Sequence, residues 1–241
     1  HRAGRAGVRS ILFIVARTAA RYDKSLADFH ARLIPAGKEK MVIRIALARK
    51  LQHPFSLTLA VFCDVLEPLT NEPYERDPPS IAGKAQAYLK QTGVGDVAVF
   101  GPEAEFFVFD DVRFAAEPFN CGYKIDSMEL PINTDTEYEM GNLGHRPRTK
   151  GGYFPVPPVD SAQDLRSEML SVMADMGVTT EKHHHEVGAA QHELGIKFGP
   201  LVKTGDAMQI YKYVIHQVAQ AYGKTACFMP KPVFGHNGSG M

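Results

Sequence analysis

The stretch EKHHHEVGAAQHELGIKF, residues 181–198, predicts a β-hairpin that carries several imidazoles and carboxylates. Residues 178–187 alternate in the manner of a β-strand, and residues 192–198 predict its antiparallel neighbour after a short loop. Such a hairpin would bring Glu186 and Glu193 to one end. Imidazoles and carboxylates lose hydration on burial and then need hydrogen-bond partners or a metal ion. The run is therefore either a solvated surface tract or a functional site, and its composition alone leaves both open.

Two amphipathic helices are predicted, one on either side of the hairpin. The first begins at a capping pair, Ser161 and Asp164, and ends at Gly177. The second begins at Thr204 and ends at Gly223. The apolar residues of each recur on one helical face, which is typical of a helix that packs on a protein core.

Further strands are predicted before and after these helices. Residues 96–114 are rich in Val and Phe and predict a strand that is interrupted at Gly101–Pro102, and residues 224–230 predict a last strand. An earlier helix is predicted from Ser80 to about Gln91, and residues 120–150 are polar and rich in turn-forming residues, which predicts a turn-rich segment. Antiparallel strands with two amphipathic helices indicate an α+β fold with the helices on one face of a sheet.

The composition is that of a globular protein without a strongly charged partner. Of the 241 residues 44% are hydrophobic, and the 27 Lys and Arg balance the 27 Asp and Glu, which gives no support to a nucleic-acid partner. The three cysteines are far apart and odd in number, which indicates a reducing compartment, so we expect the cytoplasm. The apolar run of residues 11–16 is far shorter than the roughly 20 residues of a membrane helix, so no membrane partner is expected.

Four carboxylates predict a divalent metal site. Glu103 and Glu105 stand two positions apart on a predicted strand and so share one of its faces. Like charges this close raise one another's pKa unless a cation lies between them. Together with Glu186 and Glu193 they offer the oxygen ligands that Mg²⁺ and Mn²⁺ prefer. An exposed polar face is the alternative explanation of the Glu103 and Glu105 pair.

The three adjacent histidines divide between the two faces of their strand. His184 shares the face of Glu186, whereas His183 and His185 lie on the other. At least one of the three is expected to be a packing or hydrogen-bonding residue. Because strand imidazoles two positions apart can converge on one ion, a zinc site of His183, His185 and His192 stays open as an alternative.

Four longer motifs follow one another along the chain. They are FGPEAEFFVFDDVRF (residues 100–114), KGGYFPVPPVDSAQDLRSEML (150–170), HHHEV (183–187) and QIYKYVIHQVAQAYGKTACFMPKPVFGHNGSGM (209–241). In this order they closely resemble the first part of the catalytic domain of bacterial-type (type I) glutamine synthetases. The resemblance runs from about Cys63 to Met241 and identifies the histidine-rich run with the metal-bearing hairpin of that family.

The resemblance implies an ATP-dependent ligase that joins ammonia to the side-chain carboxylate of L-glutamate and gives L-glutamine. In that family glutamate first accepts the γ-phosphoryl group of ATP, and ammonia then displaces phosphate from the γ-glutamyl phosphate. Two or more ions of Mg²⁺ or Mn²⁺ per site are implied, since divalent ions neutralise charge on a transferring phosphoryl group. The family forms ring-shaped assemblies, so a homo-oligomer, a double-ring dodecamer, is implied as well.

The family's metal and ammonium residues carry over to matching positions. Glu105, Glu186 and Glu193 match the ligands of the first metal, and Glu103 matches one ligand of the second. Tyr153 and Glu186 would border the ammonium pocket, where phenolic and carboxylate oxygens favour NH₄⁺ and help to remove its proton.

The family's nucleotide and amino-acid contacts carry over in the same way. Glu181 matches a glutamate that contacts the nucleotide, and Phe198 falls near the segment that binds adenine. Asn237 and Gly238 match the loop that holds the amino-acid substrate. Asp23 is the candidate for an aspartate that one subunit lends to its neighbour's site.

The implied architecture is a small N-terminal β-rich, β-grasp-like domain over residues 1–78 and the first part of the catalytic domain over residues 79–241. The chain departs from the family in three places. The loop between the two hairpin glutamates is one residue shorter, and residues 1–55 match poorly. The family also continues past the position of Met241 with further metal and phosphate ligands, so we expect a truncated catalytic domain.

Two other functions stay open at this point. One is a related ligase that joins glutamate to a polyamine or another amine. The other is a non-catalytic relative that serves as a structural subunit, which the retention of all four metal-site glutamates disfavours.

Overall fold

The computed structural model describes residues 64–130 and 144–241. Most of the predicted N-terminal domain, together with Asp23, lies outside the described residues. The chain divides into two units between Ser80 and Ile81, and the sheets described below belong to the second unit. The domain boundary after residue 78 stays a prediction.

Three helices and eight strands are present in the described residues. The helices are α1 (Pro78–Thr92), α2 (Gln163–Asp175) and α3 (Leu201–Ala221). The strands are β1 (Val99–Phe100), β2 (Glu105–Phe109), β3 (Asp111–Glu117), β4 (Asn120–Asp126), β5 (Thr180–His185), β6 (Gln191–Ile196), β7 (Gly199–Pro200) and β8 (Thr225–Cys227). None of these helices is both long and apolar enough to cross a membrane.

A four-stranded antiparallel sheet positions the site. Its strand order is β5, β6, β2, β8. The neighbouring strands β5 and β6 are the predicted hairpin, and β8 is the predicted last strand, so both predictions are confirmed. The sheet centres on β2, where four consecutive apolar residues, 106–109, are buried on both faces. The predicted break at Gly101–Pro102 is confirmed too, because it separates β1 from β2.

Both α2 and α3 pack on one face of this main sheet. Phe106 of β2 and His192 of β6 are cross-strand partners and therefore point to the same face. The ring of Tyr211 in α3 lies 6.4 Å from the ring of Phe106, and Arg166 of α2 bonds to His192. The predicted placement of the helices on one face is confirmed, and the opposite face is left for the site.

Two smaller pairs of strands flank the main sheet. β1 pairs with β7, and β3 pairs with β4 in a two-stranded antiparallel ribbon. The sequence predicts a turn-rich segment from residue 120 to residue 150, and this prediction is wrong for β4. Residues such as Asn120 and Gly122 are typical of turns, and most of β4 is exposed, so it lacks the alternation of a half-buried strand.

The predicted N-terminal cap of α2 is wrong. The residue at the N-cap is Ala162, and no side chain caps the helix. The hydroxyl of Ser161 instead donates a hydrogen bond of 2.9 Å to the carboxylate of Glu129. A tertiary contact thus outcompetes the local capping interaction.

The other two predicted helix starts are wrong for a different reason. α3 begins directly after Pro200, and Thr204 is buried inside the helix. α1 begins at Pro78, and Ser80 lies inside it. In both cases a proline stands at the helix entry, where its fixed φ and missing N–H are tolerated, so the helix starts earlier than the predicted capping residue.

Candidate functional site

Three neighbouring strands carry one polar row across the face of the main sheet that is opposite α2 and α3. His184 of β5 pairs with Glu193 of β6, which pairs in turn with Glu105 of β2. Cross-strand partners project from the same face of a sheet, so these three side chains lie side by side. Glu186 follows β5 two positions after His184 and reaches the same side.

His184 holds two of the carboxylates together. Its Nδ1 lies 3.3 Å from Oε1 of Glu186, and its Nε2 lies 3.1 Å from Oε2 of Glu193. One ligand atom from each of these three residues lies within 4.8 Å of the other two, and all three residues are buried. The structure thus brings Glu186 and Glu193 together, as the hairpin predicts, and adds an imidazole between them.

The carboxylates raise one another's affinity for protons. Burial raises the pKa of Glu186 to about 7, with further contributions from the charge of Glu105 and from a hydrogen bond and the charge of Glu193. Burial also raises the pKa of Glu105, and the negative charges of Glu193 and Glu103 add to the effect. Buried carboxylates in this arrangement need a shared proton or a cation.

The residues present fit a divalent metal ion. Carboxylate oxygens are the ligands of Mg²⁺ and Mn²⁺, and a single imidazole is compatible with Mn²⁺. A cation among Glu186, Glu193 and Glu105 would remove the repulsion that raises the pKa values of Glu186 and Glu105. We therefore take His184, Glu186 and Glu193 as the nucleus of a candidate metal centre, with Glu105 beside it.

The structure does not bring Glu103 into this nucleus. β2 begins at Glu105, so Glu103 precedes the strand and is exposed, and the rule that residues two apart share a strand face does not apply to it. Its charge is nevertheless close enough to raise the pKa of Glu105.

Tyr153 lies beside the imidazole of the nucleus. Its ring is 5.6 Å from that of His184 in a T-shaped arrangement, and the ring of Phe154 stacks on His184 at 4.4 Å. Gly152 permits this approach, because a Cβ there would lie 2.5 Å from the carbonyl oxygen of Glu186. Phe154 has a φ of 52°, a left-handed conformation that costs a bulky residue about 1–3 kcal/mol and is found at functional sites. The segment therefore forms an aromatic wall of the site.

The two predicted nucleotide contacts lie at the far end of the hairpin. Thr180 pairs with Ile196, so Glu181 near the start of β5 and Phe198 just after β6 lie at the same end of the hairpin. The register shifts around Glu181, and such a bulge re-aims the side chain it carries. Glu181 and Phe198 are both exposed.

The predicted substrate loop reaches the polar row through its backbone. The carbonyl oxygen of Gly238 accepts a hydrogen bond of 3.0 Å from the side-chain amide of Gln191, and that amide also donates to Glu105. Asn237 precedes this contact in the loop and is half-buried.

A buried ion pair between His185 and Glu129 lies on the side of the hairpin that is opposite the polar row. Nε2 of His185 lies 2.7 Å from Oε2 of Glu129, and its Nδ1 lies 2.6 Å from the carbonyl oxygen of Glu186. Both partners are acceptors, so both ring nitrogens donate and the ring is an imidazolium. Burial opposes the charge on each partner, but their mutual attraction outweighs it, which raises the pKa of His185 and lowers the pKa of Glu129.

The alternative zinc site of His183, His185 and His192 is wrong. The guanidinium of Arg166 lies between two of its members, 3.2 Å from Nδ1 of His183 and 3.1 Å from Nδ1 of His192. Arg166 can only donate, so these nitrogens accept and both rings are neutral. Burial and the charge of Arg166 accordingly lower the pKa of His183, while burial and the charges of His185 and Arg166 lower that of His192.

Four residues of the site are not among the site residues that the sequence predicts. His184 shares a strand face with Glu186, and this spacing could have marked it as a ligand. Gln191, Glu129 and Arg166 give no such signal, because the partners that place them at the site, Glu105, His185 and His183 respectively, are 17 to 86 positions away in the chain.

Comparisons with known proteins place this geometry in a family. The model of the glutamine synthetase catalytic domain matches residues 75–241. The glutamine synthetase of Rhizobium meliloti is 70% identical over 184 residues, which cover 76% of this chain and 39% of the relative. That of Azorhizobium caulinodans is 71% identical over 184 residues with the same coverage. A cryo-EM structure of Plasmodium falciparum glutamine synthetase superimposes with a TM-score of 0.67 at 28% identity, covering 73% of this chain and 35% of that one. The chain thus spans about two fifths of the length of the curated relatives it matches.

Proposed function

Because the chain belongs to the glutamine synthetase catalytic domain family, we propose that the protein carrying it joins ammonia to L-glutamate with ATP and releases L-glutamine, ADP and phosphate. The observation that carries the proposal is the buried nucleus of His184, Glu186 and Glu193 with Glu105 in the adjacent strand. A family member without catalytic function would have no need to keep mutually repelling carboxylates buried in one place.

The reaction needs an activated carboxylate. A carboxylate oxygen of glutamate attacks the γ-phosphorus of ATP, the bond to ADP breaks, and γ-glutamyl phosphate results. The lone pair of ammonia then attacks the carbonyl carbon of this acyl phosphate, and phosphate leaves. Ammonium must first lose a proton, and we propose that the carboxylate of Glu186, which would border the ammonium pocket, helps to accept it.

The metal-binding roles fall to the polar row. We propose that Glu105, Glu186 and Glu193 hold one divalent ion, Mg²⁺ or Mn²⁺, and that Glu103 contributes to a second. Bound there, such ions neutralise charge on the transferring phosphoryl group. His184 lies between two of these carboxylates and restricts where they point.

The remaining roles are distributed around this row. We propose that Glu181 and Phe198 contact the nucleotide and that the loop of Asn237 and Gly238 holds the amino acid. Tyr153 lies against His184 and is proposed to border the ammonium pocket together with Glu186.

The wider context of the protein is proposed on the same basis. We infer an N-terminal β-grasp-like domain over residues 1–78, a double-ring dodecamer and a cytoplasmic location.

Product analysis tests the proposed reaction. The purified protein is incubated with ATP, Mg²⁺ or Mn²⁺ and L-glutamate, together with either ammonia or a polyamine such as putrescine, and the products are identified by mass spectrometry. We expect glutamine from ammonia and stoichiometric phosphate. A product formed from the polyamine alone would favour the related amine ligase, and the absence of any ATP-dependent product would contradict a catalytic role.

A further inference from the structure

Gln191 is fully buried in the loop-proximal end of β6 and makes three hydrogen bonds to three different parts of the site. Its Oε1 accepts a bond of 2.9 Å from the N–H of Gly188 in the hairpin loop. Its Nε2 donates to Oε2 of Glu105 at 2.5 Å and to the carbonyl oxygen of Gly238 at 3.0 Å. A single side chain thus joins the hairpin loop, a carboxylate of the polar row and the substrate loop.

The orientation of this amide is determined by its partners. The backbone N–H of Gly188 can only donate, so the oxygen of Gln191 must face it. The carboxylate of Glu105 and the carbonyl of Gly238 can only accept, so the NH₂ group must face them. All three bonds are satisfied in one rotamer, and the flipped amide would lose all three.

The substrate loop also rests directly on Glu105. The N–H of Glu105 donates to the carbonyl oxygen of Gly240 at 3.3 Å. Gly240 lies so close to the carboxylate that a Cβ there would be 3.3 Å from Oε1 of Glu105. The loop backbone therefore lies against Glu105, and the side chain of Gln191 is hydrogen-bonded both to the carboxylate of Glu105 and to the loop.

We propose that Gln191 is a positioning residue that couples occupancy of the metal site to the conformation of the substrate loop, residues 235–241. The proposal rests on the proposed function for the identity of the metal and amino-acid sites. A cation that draws the Glu105 carboxylate into a defined position would fix the amide of Gln191, and the amide would then hold the Gly238 carbonyl. By thermodynamic reciprocity, ordering of the loop by an amino acid tightens metal binding to the same extent.

Hydrogen–deuterium exchange of the peptide covering residues 231–241 tests the coupling without reliance on activity. In the wild-type protein, saturating Mn²⁺ should slow exchange of this peptide roughly tenfold, as expected when a hydrogen-bonded loop is ordered. In Gln191→Leu, Mn²⁺ should still bind, as seen by electron paramagnetic resonance, but slow the exchange by less than about twofold. Gln220→Leu, on the exposed side of α3, is the matched control and should behave as the wild type.

Gln191→Glu is a second variant that tests the same coupling if Gln191→Leu does not fold. One glutamate oxygen can still accept from Gly188, but the other faces two acceptors, so the bond to Gly238 is lost while the shape is kept. We expect the same loss of Mn²⁺-dependent protection. In turnover, the KM for L-glutamate should rise roughly tenfold while the KM for ATP changes by less than about twofold.

The outcomes separate the two proposals. Mn²⁺-dependent protection that persists in a folded Gln191 variant overturns the coupling, as does Mn²⁺ binding to the wild type without any protection of the loop. Protection that depends on Gln191 in a protein that does not bind L-glutamate supports the coupling and contradicts the proposed reaction. Failure of the wild type to bind Mn²⁺ overturns both.

Discussion

At the scale of single residues, the electrostatic conflict of the site is concentrated on Glu186. Its carboxyl group is buried close to Glu193 and Glu105, and without a cation its pKa rises to about 7. Only the ionised carboxylate can bind a metal ion, so below pH 7 the ion must displace a proton. Metal affinity and proton affinity therefore compete at this residue.

This competition predicts a pH-dependent affinity for Mn²⁺. As the pH falls through 7, the dissociation constant should rise by up to about tenfold per pH unit, and above about pH 8 it should level off. Calorimetry in buffers of different ionisation enthalpy measures both the affinity and the proton released. Glu186→Gln should flatten the profile, and a flat profile in the wild type would contradict the prediction.

The buried pair of Glu129 and His185 supports a second prediction at this scale. Glu129 accepts bonds from the imidazolium of His185, from the N–H of Ala190 and from the hydroxyl of Ser161. Glu129→Gln keeps the shape but leaves a buried imidazolium without its counter-charge, which should lower the free energy of unfolding by about 3 kcal/mol.

Urea denaturation followed by circular dichroism measures this loss. Glu168→Gln is the control, because Glu168 accepts its hydrogen bond from Tyr222 at the surface, and it should change stability far less. Equal losses in the two variants would show that the burial of Glu129 is not decisive.

At the scale of elements, the hairpin was the most predictable part and the helix starts the least. The predicted antiparallel pair forms as β5 and β6, because a short loop joins the two strands and one of their faces packs on the helices. Capping depends on competing partners that the local sequence does not contain. Ser161, for example, bonds to Glu129, which is 32 positions away.

The residues of the candidate site likewise divide into those that the sequence predicts and those that it does not. Glu186 and Glu193 could be placed together because a short loop joins them, and Glu105 because a strand pattern surrounds it. The prediction that Glu103 lies on the strand is wrong, because the sequence pattern does not reveal that β2 begins only at Glu105. Gln191 and Arg166 could not be found, because a buried polar residue is recognised only once its partners are known.

Arg166 is the polar residue that fastens α2 to the sheet. It is 1% exposed, pairs with Asp160 at 2.5 Å and bonds to His183 and His192. Arg166→Met should reduce the free energy of unfolding by about 3–5 kcal/mol, because it leaves the carboxylate of Asp160 buried and unpaired. Asp160→Asn in the same background should restore part of the loss.

An exposed pair provides the control for this prediction. Arg113 and Asp111 lie 2.8 Å apart on the ribbon, with 78% and 46% of their side chains exposed. Arg113→Met should cost only about 0–1 kcal/mol, since solvent screens such a pair. Chemical denaturation of both variants decides the matter, and a similar cost for both would contradict the role assigned to Arg166.

At the scale of the whole molecule, the proposed assembly makes each site the product of two chains. The resemblance to bacterial-type enzymes assigns Asp23, outside the described residues, to the ammonium pocket of a neighbouring subunit. Glu186 is proposed to border the pocket of its own chain. Two variants that are each inactive, Asp23→Asn and Glu186→Gln, should therefore repair one another when they assemble together.

The expected recovery follows from how the chains mix. In a random one-to-one assembly, a site has a chance of about one half of receiving an intact Glu186 and an independent chance of about one half of receiving an intact Asp23, so about a quarter of the wild-type rate should return. Co-expression with two different tags, followed by purification on both and a glutamine assay, isolates the mixed assemblies. Assemblies of either variant with wild-type chains should retain about half of the rate. If Asp23 served the site of its own chain, every site in the doubly mutant mixture would lack one residue and the rate would stay at the level of the single variants.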